Sequence, residues 1–262
     1  MSPPPVPGLG AATAAVFRLQ VTRLVRGKKL RLGALVTGLV VLAVLAGRYA
    51  QDTMEASAVV EEGISLGFFT MLVYLVPFLL TSGSIAEEVE SRTFTYLSTR
   101  PIGRLALTLG KYLAGVALGA GLLVAGLLLL HVGAYLTTPT PMIDELPSTL
   151  RAIGAVLLLT LLYGAICMFW GAIATEAAGI VSFLYLAVVE FAFGLLPGIF
   201  RFISMNYHAS QLAGLPKGGI RPDLVPDVEA WGPLAAIVVM TLAFLGFAAM
   251  TVSMSEYRFG KA

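Results

Sequence analysis

The chain has 262 residues, of which 58% are hydrophobic and 12% are charged, and its formal net charge is +2. Soluble domains contain roughly 45–50% apolar residues, so this composition excludes an ordinary soluble protein. The mean hydropathy of +0.88 predicts a membrane protein, and the near-neutral charge gives no reason to expect a nucleic-acid partner.

The first predicted element is an amphipathic helix at residues 12–29. Its apolar face is formed by Phe17, Val21 and Leu24. Its other face is formed by Arg18, Thr22, Arg26 and Lys29. A helix of this kind lies on a membrane surface with its basic face toward anionic lipid headgroups, so membrane lipid is an expected partner. The alternative is a simple basic anchor for the span that follows.

Six apolar stretches follow, each long enough to cross a bilayer whose hydrocarbon core needs about 20 residues per helix. They are residues 30–47, 64–86, 105–136, 149–174, 180–202 and 231–255. The alternating pattern of a β-barrel is not seen in them, so the sequence predicts helices. We therefore expect an all-α polytopic membrane protein whose residues 1–262 form one domain, with an external loop at 203–230 that makes a cap or re-entrant element.

The basic residues predict the orientation of the spans. Twelve of the 17 Lys and Arg residues fall in segments on one side of the predicted spans, and five fall on the other side. Cytoplasmic segments of membrane proteins carry the excess of Lys and Arg. This asymmetry predicts that both termini are cytoplasmic.

A charged segment at residues 86–104 separates the second span from the third. Its charged residues are Glu87, Glu88, Glu90, Arg92, Arg100 and Arg104. Its apolar residues are Phe94, Tyr96, Leu97 and Ile102. A loop that only meets solvent has no need of those apolar side chains, whereas a docking surface uses apolar anchors inside a charged rim. Pro101 ends a helix near Arg100, so we expect a short helix, a break and then the third span.

This segment resembles the first cytoplasmic loop of ABC type-2 exporter permeases. The matching residues are Glu90, Arg92, Thr93, Leu97, Ser98, Pro101, Ile102, Arg104, Gly110 and Lys111. Arg92 stands where that family more often has Gly. The resemblance extends to the six-span topology, although the long outside domain of some relatives and a fused ATPase are missing here.

The resemblance implies that residues 86–104 are a coupling helix docked on a cytoplasmic ABC ATPase subunit. It also implies two ATPase copies, a second copy of this chain or a related permease, and residence in the bacterial cytoplasmic (inner) membrane. ATP and Mg²⁺ would bind to the partner, with no cofactor in this chain. The substrate stays open, as do an accessory extracytoplasmic protein and a role in force transmission.

Other motifs limit what the chain itself catalyses. No stretch matches the ATP-binding pattern G-x-x-x-x-G-K-[ST], nor the H-E-x-x-H or G-x-S-x-G motifs, so we expect no enzyme activity in this chain. His131 and His208 are predicted to be structural. A membrane-embedded enzyme would need converging catalytic groups, which the spans do not offer.

Glu190 is the ionisable residue nearest the middle of a predicted span. Such a residue costs about 2.5–3.5 kcal/mol to insert, so it tends to face a bundle interior, a pathway or an interface. A hydrogen-bonded structural role and a role beside the substrate route are equally consistent with the sequence. An ion-gradient-driven secondary transporter that uses Glu190 is the alternative function, but the repeated half-sequences expected of that class are not seen.

Overall fold

The computed structural model describes residues 8–50, 55–90, 103–136, 142–196, 198–215 and 230–254. Within these ranges the chain forms eight principal helices and no strand. They are α1 Leu9–Arg26, α2 Lys28–Ala50, α3 Ala56–Val89, α4 Arg104–Tyr135, α5 Leu146–Ile173, α6 Thr175–Leu195, α7 Met205–Ala213 and α8 Trp231–Met254.

Six of these helices, α2 to α6 and α8, are long and apolar enough to cross a membrane. The predicted all-α, six-span architecture is therefore confirmed. The fifth span is shorter than predicted, because it ends at Leu195 instead of residue 202. Leu196 precedes Pro197 and has an extended backbone, with φ −72° and ψ 143°, as expected for a residue before proline. The chain then turns through a 3-10 helix at Gly198–Ile203.

The bundle is built around α5, whose side chains Leu159, Leu162, Tyr163 and Ile166 are completely buried. Helices α3, α4, α7 and α8 pack against it. By contrast, only 17% of the residues in the most apolar part of α2 are buried, and only 22% in the corresponding parts of α6 and α8. The outer faces of these three helices are therefore available to lipid or to a partner.

Helix α1 exists close to its predicted bounds, but its buried face differs from the predicted one. The buried residues are Ala12, Val16, Gln20 and Leu24, four residues apart, whereas Phe17 and Val21 are only half-buried. The face is set by α4, along which α1 lies. A Cβ atom at Gly110 of α4 would come within 2.7 Å of Val16 Cβ, so glycine is what allows this close approach.

Two spans contain a π-helical stretch, at Gly63–Leu72 in α3 and at Leu186–Ala192 in α6. In the first, Thr70 Oγ1 donates a hydrogen bond to the carbonyl of Ser65, five residues earlier, at 2.9 Å. Such stretches are rare and frequently occur at functional sites. Helix α3 then continues through Pro77 and a turn at residues 82–85, and its last residues belong to the short helix Ala86–Glu90.

Candidate functional site

Some of the residues predicted to dock an ATPase lie within the part of the chain that the structure describes, and the others lie outside it. Seven of them lie outside these ranges: Arg92, Phe94, Tyr96, Leu97, Arg100, Pro101 and Ile102. The structure describes the two ends of the segment, with Glu87, Glu88 and Glu90 at its start and Arg104 at its end. It therefore shows how this segment is attached to the bundle.

The start of the segment is held by a group of charged residues that we call the root cluster: Arg23, Lys29, Glu87, Glu88 and Lys111. Its outer part is an ion-pair network around Glu87. Arg23 Nη2 donates to Glu87 Oε2 at 2.9 Å, and Lys29 Nζ donates to Glu87 Oε1. These side chains are 38–48% exposed, so each pair contributes little stability by itself.

The inner part of the root cluster is a buried ion pair. Lys111 Nζ lies 2.6 Å from Glu88 Oε2, and the two side chains are 2% and 11% exposed. Lys111 Nζ also donates to the carbonyl of Ser84, and Arg23 Nη1 lies 3.7 Å from Glu88 Oε1. Lys111 is seven residues into α4, about 10 Å from its start, where an unpaired charge would be costly.

The far end of the segment is attached to α8. Arg104 Nη1 donates to the carbonyls of Val252 and Ser253 at 3.2 and 2.8 Å. These carbonyls belong to the last turn of a helix, where intrahelical partners are lacking, and a cation there also suits the helix dipole. Residues 91–102 are thus bounded by contacts to α1, α2 and α4 on one side and to α8 on the other.

Sequence reasoning did not find this network. It placed Lys29 on the lipid-facing side of α1, whereas Lys29 lies in the first turn of α2 and pairs with Glu87. A signal was available, because Lys111 lies inside an apolar span and such a residue needs a partner. The acids nearest to the same end of the bundle in sequence are Glu87, Glu88 and Glu90.

Glu190 lies in the π-helical stretch of α6 and is 1% exposed. Its Oε2 accepts hydrogen bonds from Tyr163 Oη at 3.0 Å and from the backbone N–H of Met205 at 2.9 Å. Ser204 Oγ and the backbone N–H of Asn206 lie farther from it, both at 3.4 Å. The Tyr163 hydroxyl and the backbone N–H groups of Met205 and Asn206 are the donors to this oxygen.

An open apolar groove of about 330 Å³ lies between α3 and α6. It is lined by Thr70, Met71, Tyr74, Leu75, Phe78, Phe183, Leu186, Ala187 and Phe191. The Tyr74 ring closes the groove toward the core by stacking on Tyr163, with ring centroids 5.1 Å apart. Glu190 is therefore behind the groove wall and does not line it.

A family model described as "ABC-2 family transporter protein" matches residues 13–262. The chain belongs to the ABC-2 transporter family. None of the curated proteins matches it. As an ABC-2 protein it is a membrane permease component of an ABC transporter, and this family implies an ABC ATPase subunit as its partner. The match includes all six spans and the segment between α3 and α4.

Both histidines of this ABC-2 protein have structural contacts. His131 is 1% exposed, with Nε2 3.2 Å from the carbonyl of Met142 and Nδ1 2.8 Å from Thr149 Oγ1. The carbonyl only accepts, so Nε2 is the donor in that hydrogen bond. His208 Nε2 bonds to the carbonyl of Phe202 at 3.0 Å. Among the described residues, no group of three His, Cys, Asp or Glu side chains could hold a metal.

Proposed function

We propose that this chain is the permease subunit of a bacterial ABC exporter. A separate ATPase subunit, which binds ATP and Mg²⁺, docks on residues 86–104, and its movement displaces the spans. The observation that carries this proposal is the attachment of both ends of the segment, by Glu88 to Lys111 and by Arg104 to the end of α8. A segment held in this way passes a displacement to α1, α4 and α8.

The docking contact is assigned mainly to residues 91–102. Phe94, Tyr96 and Leu97 supply the apolar anchors, and Arg92, Arg100 and Arg104 supply the basic rim, with Pro101 and Ile102 at the break before α4. Glu87 is exposed enough to contribute to the rim, as the segment's third acid Glu90 would. The carboxylate of Glu88 already faces Lys111, so its contribution to docking is to fix the start of the segment.

The substrate route is assigned to the groove between α3 and α6, closed by a second copy of this chain or by a related permease. The supporting observation is that the groove is open and apolar, and that α6 is exposed along large side chains such as Ile180, Phe183 and Leu184. Closed two-fold symmetry is the commonest arrangement of oligomers. Two permeases with two ATPase subunits follow from it.

Gentle purification of the tagged permease, with mass identification of any ABC ATPase that stays bound, tests this assembly. We expect two permease and two ATPase copies by mass measurement of the intact complex, with ATP hydrolysis that depends on the ATPase alone. A complex that contains one permease and no ATPase would contradict the proposal.

The orientation is tested by labelling single cysteines, since Cys167 is the chain's single cysteine and is buried. In a Cys167→Ser background, a membrane-impermeant thiol reagent added to intact cells is expected to label Ile220→Cys and to spare Arg18→Cys. Labelling of Arg18→Cys from outside would reverse the proposed placement of the termini in the inner membrane.

The secondary-transporter alternative is not favoured. Family membership assigns the chain to the ABC class, and the Oε2 atom of Glu190 is occupied by protein donors instead of being open to an ion.

A further inference from the structure

The first residues of α7 contact both walls of the groove. Glu190 from α6 contacts Ser204, Met205 and Asn206, and the Asn206 side chain contacts α3. We propose that the start of α7 is a strap that ties the two π-helical walls together and sets the opening of the groove. Glu190 and Asn206 are its positioning residues.

The α6 attachment of the strap is a helix cap supplied from another helix. Ser204 occupies the N-cap position of α7, but its side chain makes no capping bond. Its hydroxyl donates instead to the backbone carbonyl of Glu190 at 2.7 Å. The carboxylate of Glu190 takes over the capping role by accepting the N–H of Met205, which would otherwise lack a partner.

This attachment is tightly packed and reaches the centre of the bundle. Tyr163 of α5 donates to the same Oε2 atom of Glu190, so one carboxylate joins α5, α6 and α7. A Cβ atom at Gly194 would come within 3.0 Å of Ser204 Oγ, which shows how closely the end of α6 approaches the start of α7. The end of α6 and the start of α7 are therefore in direct contact, so a movement of one displaces the other.

The α3 attachment of the strap uses the neighbouring residue. Asn206 Nδ2 donates to the backbone carbonyl of Phe69 at 3.0 Å, and Phe69 lies in the π-helical stretch of α3. The next two residues of that stretch, Thr70 and Met71, line the groove, as do Leu186 and Ala187 of the other stretch. The strap thus contacts each wall within the π-helical stretch that also supplies residues to the groove lining.

The consequence is that the groove opening depends on two polar contacts, neither of which involves a described residue of the docking segment. Assignment of the groove as substrate route rests on the proposed function, but the strap itself rests on these contacts alone. If either contact is removed, the walls lose their common attachment and the lining side chains gain freedom.

Spin labels in the groove test the strap on the purified full-length permease, without ATPase or substrate. Thr70→Cys or Ala187→Cys is introduced into the Cys167→Ser chain and labelled with a nitroxide. We expect Glu190→Met, which keeps the side-chain volume but has no acceptor oxygen, and Asn206→Ala each to remove the immobilised component of the spectrum at both positions. The matched control is Ser210→Ala, because Ser210 lies in α7 but donates only to the Tyr207 carbonyl of its own helix.

Spectra of Glu190→Met and Asn206→Ala that equal that of Ser210→Ala would overturn the strap. An effect of Glu190→Met without one of Asn206→Ala would also overturn it, because Glu190 would then be only a cap. If Glu190→Met does not fold, Asn206→Ala decides, since Asn206 is only half-buried. Failure of the ATPase to co-purify would contradict the proposed function and leave this result unaffected.

Discussion

Alanine at both Phe94 and Leu97 is expected to release the ATPase from the permease, or to leave it bound with its ATP hydrolysis uncoupled from transport. Both residues are apolar side chains within a charged segment, where central anchors dominate binding and rim charges contribute less. Truncation of such an anchor costs about 2 kcal/mol or more, so the double replacement is expected to weaken binding by about a thousand-fold.

Co-purification of the ATPase and its hydrolysis rate in the complex measure this effect. Lys261→Ala is the control, because it removes a side chain in the tail, outside the charged segment. We expect this control to retain the ATPase and normal hydrolysis. If the Phe94 and Leu97 double variant behaves as the control does, residues 86–104 are not the coupling element.

The spans were predictable because membrane insertion depends on local composition. About 20 apolar residues mark a span wherever its neighbours lie, and the six helices begin and end mostly near the predicted residues. Two bounds differ more: α3 begins at Ala56, eight residues before the predicted start at 64, and α6 ends at Leu195. Pro197 is a local cause of the second difference.

The contacts of the candidate site were not predictable, because they join residues far apart in the chain. Glu190 was recognised as unusual from its depth in a span, but its donor Met205 is 15 residues away and belongs to a helix that returns into the bundle. In the root cluster, Arg23 and Glu87 are 64 residues apart. Charge alone identifies residues that need partners, whereas the packing of α1 on α4 decides which partners they have.

Replacement of Lys111 by methionine is expected to lower the stability of the permease more than any single change in the outer root cluster. It keeps the volume of the side chain but leaves Glu88 with a largely buried carboxylate and without its closest cation. Removal of one partner of a buried pair costs about 3–5 kcal/mol. Lys29→Ala is the matched control, since it breaks an exposed pair with Glu87, which contributes at most about 1 kcal/mol.

The double variant Lys111→Met with Glu88→Gln separates stability from coupling. Replacement of both charges removes the unpaired carboxylate, so the thermal midpoint in detergent is expected to recover most of the loss. The link between α4 and the start of the docking segment is not restored, because neither side chain then carries a charge. We therefore expect the double variant to fold, to retain the ATPase through residues 91–102, and to hydrolyse ATP with reduced transport. A double variant that recovers both its thermal midpoint and full transport would show that the buried pair serves stability alone. The segment would then move the spans through its other attachments, which are the pairs of Glu87 with α1 and α2 and the bonds of Arg104 to the end of α8.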